Sequence, residues 1–187
     1  MQLTLERNQF LKALSHAQSV VEKRTTVPIL AHVLLEAESG QLRLTSTDLE
    51  LAIVETVPAQ IQKAGGTTVS AQLLHDIVRK LKDGSDIQLS LENEGSHLQI
   101  VSGRSEFKLA CLPPEDFPAI NTADLPHRFK VNGKDFLNLL EKTRFAMSTE
   151  ETRYYLNGIY LHPVESREIR AVATDGHRLA RLSLSMS

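Results

Sequence analysis

One pattern of apolar and polar positions occurs three times along the chain, at a period of about sixty residues. Each copy begins with a short alternating stretch, continues with apolar residues at positions i, i+3 and i+4, and ends with two or three further alternating stretches. Alternation is typical of strands, and the wider spacing is typical of amphipathic helices. The three helical cores are Phe10/Ala13/Leu14, Leu74/Ile77/Val78 and Phe136/Leu139/Leu140. The pattern therefore predicts strand–helix–strand repeats laid side by side, each presenting one helix to a common surface.

Capping and turn residues set the boundaries of the predicted elements. Ser70 and Asn132 are favourable N-caps, and Asp83-Gly84 ends the second helix. The predicted helices cover residues 7–21, 71–81 and 134–146. The predicted strands cover residues 2–6, 31–37, 41–45, 50–57, 67–69, 86–91, 97–101, 106–109, 128–131, 158–162, 168–174 and 178–184.

A segment rich in proline and acid, Leu112 to Pro126, predicts a boundary between two domains. Residues 1–122 contain two repeats and would form a complete domain, whereas residues 123–187 contain one repeat. A lone repeat leaves the apolar face of its helix and sheet without a partner. We therefore expect half of a second domain here, completed either by a longer protein or by another chain.

Composition indicates a soluble globular protein. The 187 residues are 41% hydrophobic and 24% charged, and no apolar run approaches the roughly 18 residues that a membrane span needs. The first residues have a strand pattern, unlike a signal peptide. The single cysteine, Cys111, excludes an internal disulfide and fits a reducing, cytoplasmic compartment. We interpret Cys111 as a small core residue.

Positive charge is concentrated on the predicted helices, although the whole chain has a formal charge of −2. Residues 7–24, 71–82 and 134–144 contain ten Lys and Arg against four acids. Such a distribution attracts phosphate locally despite an acidic total. The alternative is that Lys and Arg are good helix formers at exposed positions, and charge alone does not decide between the two.

Motifs for catalysis or metal binding are weak. Gly65-Gly66 lacks the following Lys-Thr of a phosphate loop, and the seven histidines lack the spacing of a metal site. We expect no metal, no cofactor and no catalytic residue. Asp175 and His177 lie close enough in sequence for acid/base catalysis in a small hydrolase. The first repeat has Thr47-Asp48 at the matching place and no histidine, so an aspartate that caps a turn is the favoured interpretation.

The segment Arg153-Tyr154-Tyr155-Leu156-Asn157-Gly158 places two of the three tyrosines side by side. Adjacent side chains of a strand point to opposite faces, so we expect at least one exposed tyrosine. An exposed aromatic residue beside Arg suits stacking on bases or contact with a partner protein. The alternative is one core tyrosine and one incidental surface tyrosine.

Several motifs together resemble the N-terminal half of bacterial DNA polymerase III beta subunits, the sliding-clamp family. They are, in family order, Val27-Pro28-Ile29-Leu30, Thr47-Asp48-Leu49-Glu50, Ser102-Gly103-Arg104-Ser105, Leu112-Pro113 with Asp116-Phe117-Pro118, the 153–158 segment and Ala173-Thr174-Asp175-Gly176-His177-Arg178-Leu179-Ala180. The resemblance implies the α+β DNA-clamp fold, with repeated β-α-β-β-β units, helices on an inner face and antiparallel sheets on an outer face.

The resemblance also implies a function. The family is not enzymatic; two head-to-tail protomers of three domains each form a ring around duplex DNA, and the third domain is absent here. The ring tethers the replicative polymerase, the clamp loader and other proteins with a clamp-binding motif. Sliding favours many weak, long-range phosphate contacts over base-edge hydrogen bonds.

Individual roles carry over by position. Among the expected DNA-binding residues, Arg24 matches a DNA-contacting position and Arg79 a basic position that lines the channel. Tyr154 and Tyr155 match a pair implicated in DNA contact near the face of the ring. Phe107 and Leu109 match the protomer interface, where Leu73 replaces a basic residue. Glu150 stands where the best-known member has an uncharged glutamine that touches DNA. Because an acid is unfavourable beside phosphate, we do not include Glu150 among the expected DNA contacts. A pocket for a short hydrophobic peptide, completed in the family by the third domain, matches Leu156, Thr174, Gly176, His177, Arg178 and Leu179. Two rival functions are the small hydrolase and a scaffold whose Arg-Tyr-Tyr segment binds only protein.

Overall fold

Runs of several strands separate the helices along the chain. This computed structural model describes residues 1–21, 26–92, 95–118, 129–165 and 167–185. The chain divides into two compact units, Met1–Asn121 and Thr122–Ser187. The elements of the first unit are β1 (Gln2–Glu6), α1 (Arg7–Gln18), β2 (His32–Glu38), β3 (Gln41–Thr47), β4 (Ala52–Pro58), β5 (Gln60–Lys63), β6 (Gly65–Ser70), α2 (Ala71–Lys80), β7 (Asp86–Glu92), β8 (His97–Ser102) and β9 (Ser105–Leu112), with short 3-10 helices at Pro28–Ala31 and Pro114–Asp116.

The two repeats of the first unit exchange their opening strands. β1 opens the first repeat but pairs with β7 of the second, and β6 opens the second repeat but pairs with β2 of the first. All pairings are antiparallel, and the strand order is β4-β3-β2-β6-β9-β8-β7-β1-β5. The two halves of this sheet join through only two residue pairs, Thr68–Leu112 and Val69–Cys111. Because each repeat needs a strand from the other, the two repeats form one structural domain.

One hydrophobic core fills the space between the strands and both helices of the first unit. The helices contact each other, and both contribute buried side chains to the same cluster as the strands. Phe10 and Leu14 of α1 and Leu74 of α2 are almost fully buried, as are Leu35 and Ile100 of the strands. Cys111 packs against this core, and burial raises the pKa of its thiol. The opposite faces of the helices are exposed, so the α+β arrangement has helices on one side and sheet on the other.

Each helix begins at a side chain that accepts hydrogen bonds from its first turn. Ser70 accepts from the N–H of Leu73, and Asn132 accepts from the N–H groups of Lys134 and Asp135, as the sequence predicts. α1 begins instead at Glu6, whose carboxylate accepts from Asn8 N and Gln9 N at 2.8 and 2.9 Å. A carboxylate satisfies the free donors of the first turn and interacts favourably with the helix dipole.

The second unit contains one helix and three strands among its described residues. They are α3 (Gly133–Arg144), β10 (Tyr160–Glu165), β11 (Glu168–Thr174) and β12 (Leu179–Ser185), with a 3-10 helix at Glu151–Leu156. The sheet is antiparallel in the order β10-β11-β12. Leu139 of α3 packs on Ile169 and Ala171, a much smaller core than that of the first unit.

The structure differs from the prediction at one strand and one helix end, and it contains one strand that was not predicted. The described part of the predicted 128–131 strand, Phe129 to Val131, pairs with no strand. α1 ends at Gln18 and not at residue 21. The prediction omitted β5, a short strand that pairs only with β1.

Candidate functional site

The exposed side of the first unit's helices carries basic side chains. Lys12 of α1 and Arg79 and Lys80 of α2 are exposed, and Lys82 follows just after α2. Arg79 and Lys80 lie in the last turn of α2, where positive charge also stabilises the helix dipole. The exposed side of the helices is therefore a basic surface, and the helix dipole accounts for the position of Arg79 and Lys80 within it.

Arg7 does not belong to this basic surface. Its side chain is only 9% exposed. The guanidinium donates to the carbonyl oxygens of Val78 and Arg79 at 3.0 and 2.6 Å and to Asp83 Oδ1 at 2.6 Å. These carbonyls belong to the last turn of α2, so Arg7 caps that helix from the start of α1. Counting Arg7 among the phosphate-attracting cations was wrong, because sequence charge does not reveal burial.

Arg79 is exposed but is held by a neighbouring acid. Its Nη2 lies 3.3 Å from Asp76 Oδ1, and Gln72 Nε2 donates to Asp76 Oδ2 at 2.8 Å. The Gln72 hydrogen bond, and then the charge of Arg79, lowers the pKa of Asp76. The i, i+3 spacing of Asp76 and Arg79 was a readable signal that the charge count overlooked. The other predicted DNA contact of the first unit, Arg24, lies outside the described residues.

Two turns, one in each unit, share the same hydrogen bonds. In the first unit the Thr47 hydroxyl donates to Leu51 O at 2.8 Å, and Asp48 Oδ1 accepts from the N–H groups of Glu50 and Leu51 at 3.0 and 2.7 Å. In the second unit the Thr174 hydroxyl donates to Arg178 O at 2.7 Å. There Asp175 Oδ1 accepts from the N–H groups of His177 and Arg178, both at 2.9 Å. Both aspartates cap turns.

The hydrogen bonds of Asp175 argue against a hydrolase. Backbone N–H donation from Arg178 and His177 lowers the pKa of Asp175 to about 2, so the carboxylate is a poor proton acceptor near neutral pH. Its second oxygen, Oδ2, accepts from Arg178 Nε at 2.9 Å. Since Asp48 has the same bonds with no histidine nearby in sequence, the bonds build the turn and do not indicate catalysis.

The two turns differ in backbone strain. Gly176 has a φ of 89°, and Leu49 at the matching place has a φ of 81°. Glycine adopts this left-handed region readily, whereas a branched side chain is strained there. The Leu49 side chain is also 66% exposed, so it gains little burial in return.

Tyr154 and Tyr155 lie on a 3-10 helix and not on a strand as predicted. Both are strongly exposed, at 79% and 72%, and their rings form an edge-to-face pair with centroids 5.8 Å apart. The expectation of at least one exposed tyrosine is met, although the strand geometry used to derive it is wrong. Neither tyrosine is a core residue.

Arg153 connects this tyrosine segment to the 174–178 turn. Its Nη1 donates to Asp175 O at 3.3 Å, and a Cβ added at Gly176 would meet the same nitrogen at 3.3 Å. Its Nε lies 3.2 Å from Glu150 Oε2. The turn and the tyrosine segment are therefore fixed to each other through one guanidinium, a role that sequence reasoning missed.

The residues predicted to line a peptide pocket are partly assembled by that turn. Thr174 and Leu156 are half-buried, and Gly176, His177, Arg178 and Leu179 are exposed. The guanidinium of Arg178 lies 5.8 Å from the centroid of the Phe145 ring, a cation–π distance. Leu179 is therefore an exposed apolar side chain next to Arg178, whose guanidinium is held in place by its contacts with Asp175 and Phe145.

Phe107 and Leu109 lie on β9, which pairs with β8 along residues 105–110. On its other side β9 pairs with β6 only at Cys111 and Leu112, so in the described part of the chain residues 105–110 form an open sheet edge. Phe107 is 36% exposed at this edge, whereas Leu109 is 9% exposed and belongs to the core. Of the two predicted interface residues, only Phe107 has an available side chain.

No group of three or more metal-ligating side chains occurs among the described residues. Within the same residues, none of the helices has the length and apolar character needed to cross a membrane.

Comparison with known proteins identifies the same family over both units. Residues 1–121 match the family described as DNA polymerase III beta subunit, N-terminal domain, and residues 130–187 match its central domain. The beta sliding clamp of Caulobacter vibrioides (strain NA1000 / CB15N) is 50% identical over 183 residues, which cover 96% of this chain and 49% of that protein. The beta sliding clamp of Escherichia coli K12 is 41% identical over 185 residues, covering 98% of this chain and 50% of that protein. The chain thus spans about half the length of these curated relatives.

Solved structures agree with this relationship. A DNA polymerase sliding clamp from Caulobacter crescentus has a TM-score of 0.91 at 49% identity, covering 99% of this chain and 51% of that chain. A sliding clamp from Pseudomonas aeruginosa bound to griselimycin has a TM-score of 0.93 at 39% identity, covering 100% of this chain and 50% of that chain. The fold is that of a DNA clamp. The chain belongs to the DNA polymerase III beta subunit family, the bacterial beta sliding clamps.

Proposed function

We propose that this chain is the N-terminal half of a non-enzymatic sliding-clamp subunit that confers processivity on a replicative DNA polymerase in the bacterial cytoplasm. The observation that carries the proposal is the match of both units to the clamp family, combined with exposed basic side chains on the helix face of the first unit. In this proposal residues 1–122 are the first clamp domain and residues 123–187 are the first half of the second.

The proposed DNA contacts are Arg24, Arg79, Tyr154 and Tyr155. Exposed lysines and arginines neutralise phosphates through long-range contacts that do not depend on sequence. Two exposed tyrosines offer flat apolar surfaces for bases or sugars near the face of the ring. A closed ring retains DNA by topology, so the individual contacts can be weak and still allow sliding.

The proposed protomer interface uses the open edge of β9. A strand with unpaired N–H and C=O groups is suited to pairing with a strand of another subunit. Phe107 supplies an apolar side chain at that edge. Leu73, 54% exposed on α2, would add an apolar side chain where the family pattern has a basic residue.

The proposed partner pocket lies at the 174–178 turn of the second unit. The pocket would bind the apolar side chains of a short linear peptide, and the polymerase, the clamp loader and other partners would each carry such a peptide. Its lining residues would be Leu156, Thr174, Gly176, His177, Arg178 and Leu179. The third domain of the family would complete this pocket, so this chain alone should bind such peptides weakly.

A primer-extension assay tests the function. Product lengths on a primed circular template should increase when a protein of the relatives' full length that carries this sequence is added with its polymerase and loader. Replacing both Tyr154 and Tyr155 by Ala should shorten the products. Replacing Tyr160, an exposed tyrosine of β10 outside the proposed site, by Ala is the matched control. Unchanged product length on adding the protein would contradict the proposal.

A further inference from the structure

The polar residues on the exposed side of α2 form a connected chain. Gln72, Asp76 and Arg79 are spaced four and three residues apart, so they follow one another along the helix surface. Gln18 of α1 donates through Nε2 to Gln72 Oε1, which links the two helices. Gln72 Nε2 then donates to Asp76 Oδ2, and Asp76 Oδ1 faces Arg79 Nη2. Each carboxylate oxygen of Asp76 therefore has its own partner.

This row of hydrogen bonds ends at one of three neighbouring cations. Arg79, Lys80 and Lys82 occur together at the end of α2. Lys80 and Lys82 form no ion pair with any residue that the structure describes, whereas Arg79 is paired. Arg is the side chain of the three that binds a phosphate most strongly, because its planar guanidinium can donate two parallel hydrogen bonds. The acid is thus placed against the strongest potential phosphate ligand.

Stability alone is a weak reason for this pair. The side chains of Arg79 and Asp76 are 61% and 37% exposed, and exposed pairs contribute little to folding. His75, whose Nδ1 lies 3.9 Å from Asp76 Oδ1, and Lys80 are the other charged or titratable neighbours of that carboxylate.

We infer that Asp76 competes with DNA phosphate for Arg79 and so weakens the contact of this helix with DNA. The inference rests on the proposed function, since it concerns the same helix surface. Gln72 and Gln18 hold the carboxylate in position, which keeps the competitor in place when a phosphate arrives. A phosphate contact of Arg79 then requires the guanidinium to leave Asp76, and this favours brief contacts that are compatible with sliding.

The test is the affinity of a blunt-ended DNA duplex, which can enter a ring without a loader. Binding is measured by fluorescence anisotropy, using a protein of the relatives' full length that carries this sequence. Asp76→Asn keeps the size of the side chain and removes its charge. Glu92→Gln is the matched control, because Glu92 pairs with Lys108 at 2.7 Å on β7 and β9, away from the helices.

Asp76→Asn should tighten DNA binding several-fold at about 50 mM salt, and its advantage over the wild type should shrink by roughly threefold at about 200 mM, as expected for one added phosphate contact. Glu92→Gln should stay within about twofold of the wild type. In an Arg79→Gln background, Asp76→Asn should have no more effect than Glu92→Gln.

Two results would overturn the inference. One is an equal effect of Asp76→Asn and Glu92→Gln, which would indicate net charge only. The other is an Asp76→Asn effect that persists without Arg79, which would indicate direct repulsion. Failure of the proposed function is distinguishable, because then the wild type would show no salt-dependent binding and Arg79→Gln would change nothing.

Discussion

At the residue scale, the two capped turns decide between a catalytic and a structural aspartate. The sequence already favoured a turn, because Thr47-Asp48 matches Thr174-Asp175 and lacks the histidine. In the structure, Asp48 and Asp175 accept equivalent backbone hydrogen bonds, so the two sequence motifs form the same turn. Sequence could not reveal the burial of Arg7, because burial depends on how side chains pack, whereas the i, i+3 spacing of Asp76 and Arg79 did indicate their contact.

Replacing Asp175 by Ala should destabilise the second unit in a pH-dependent way. The folded pKa of Asp175 is about 2, below its ordinary value of 3.8. Its contribution is therefore fully present above about pH 4 and is lost as the pH falls through about 2. Urea midpoints measured across this range should differ between wild type and variant at neutral pH and converge in acid. A gap that stays constant with pH would contradict the capping role; Glu141→Gln, an exposed acid of α3, is the control.

Leu49→Gly should stabilise the first unit by about 0.5–1 kcal/mol, because the release of left-handed strain exceeds the entropy cost of glycine. The reverse change, Gly176→Ala, should destabilise the second unit, since it adds the strain and approaches Arg153. Both effects are measured as free energies of unfolding in urea. A less stable Leu49→Gly protein would show that the Leu49 side chain has an unrecognised contact.

At the element scale, the helices were predicted more accurately than the strands. Helix caps at Ser70 and Asn132 are local signals, and both were correct. The prediction of an opening strand at 128–131 was wrong because such a strand depends on pairing with residues far away in sequence. β1 and β6 exist because each pairs with the other repeat, and no second repeat of that pair occurs in the second unit's described residues. The prediction of a strand at the tyrosine segment was wrong, because a short 3-10 helix has no characteristic spacing of apolar residues in the sequence.

Arg7→Lys should destabilise the first unit by about 2–3 kcal/mol, because a lysine cannot reproduce the fork that binds Val78 O, Arg79 O and Asp83 together. Thermal or urea unfolding measures this loss. Lys82→Gln, which removes an exposed cation just after the same helix, should change stability by much less. The salt dependence of DNA binding should be altered by Lys82→Gln and not by Arg7→Lys. The opposite pattern would place Arg7 on the DNA-binding surface.

At the scale of the whole molecule, the two units have unequal cores. The first unit buries one large cluster shared by two repeats, whereas the second has two small clusters. Large apolar side chains are exposed on the second unit, namely Phe129, Leu137, Phe145, Tyr154, Tyr155, Tyr160, Leu161 and Leu179. A single unpaired repeat is expected to leave such apolar surface uncovered, and that the second unit is half of a domain stays a prediction.

The 187-residue chain should unfold in two steps, with the second unit first. Hydrogen exchange in increasing urea should release β11 amides before those of β1 and β2. Leu139→Ala should shift only the first transition and Leu35→Ala only the second, each by about 2–5 kcal/mol. A single transition shared by both units would contradict this expectation.

In the proposed function, a protein of the relatives' full length holds DNA by encircling it and contacts it only through weak basic groups. The most direct test measures how long a protein of the relatives' full length that carries this sequence stays on nicked circular DNA after loading. We predict long retention on the circle at raised salt and rapid loss once the circle is cut to a linear molecule. Equal dissociation from circular and linear DNA would show that the protein does not encircle DNA.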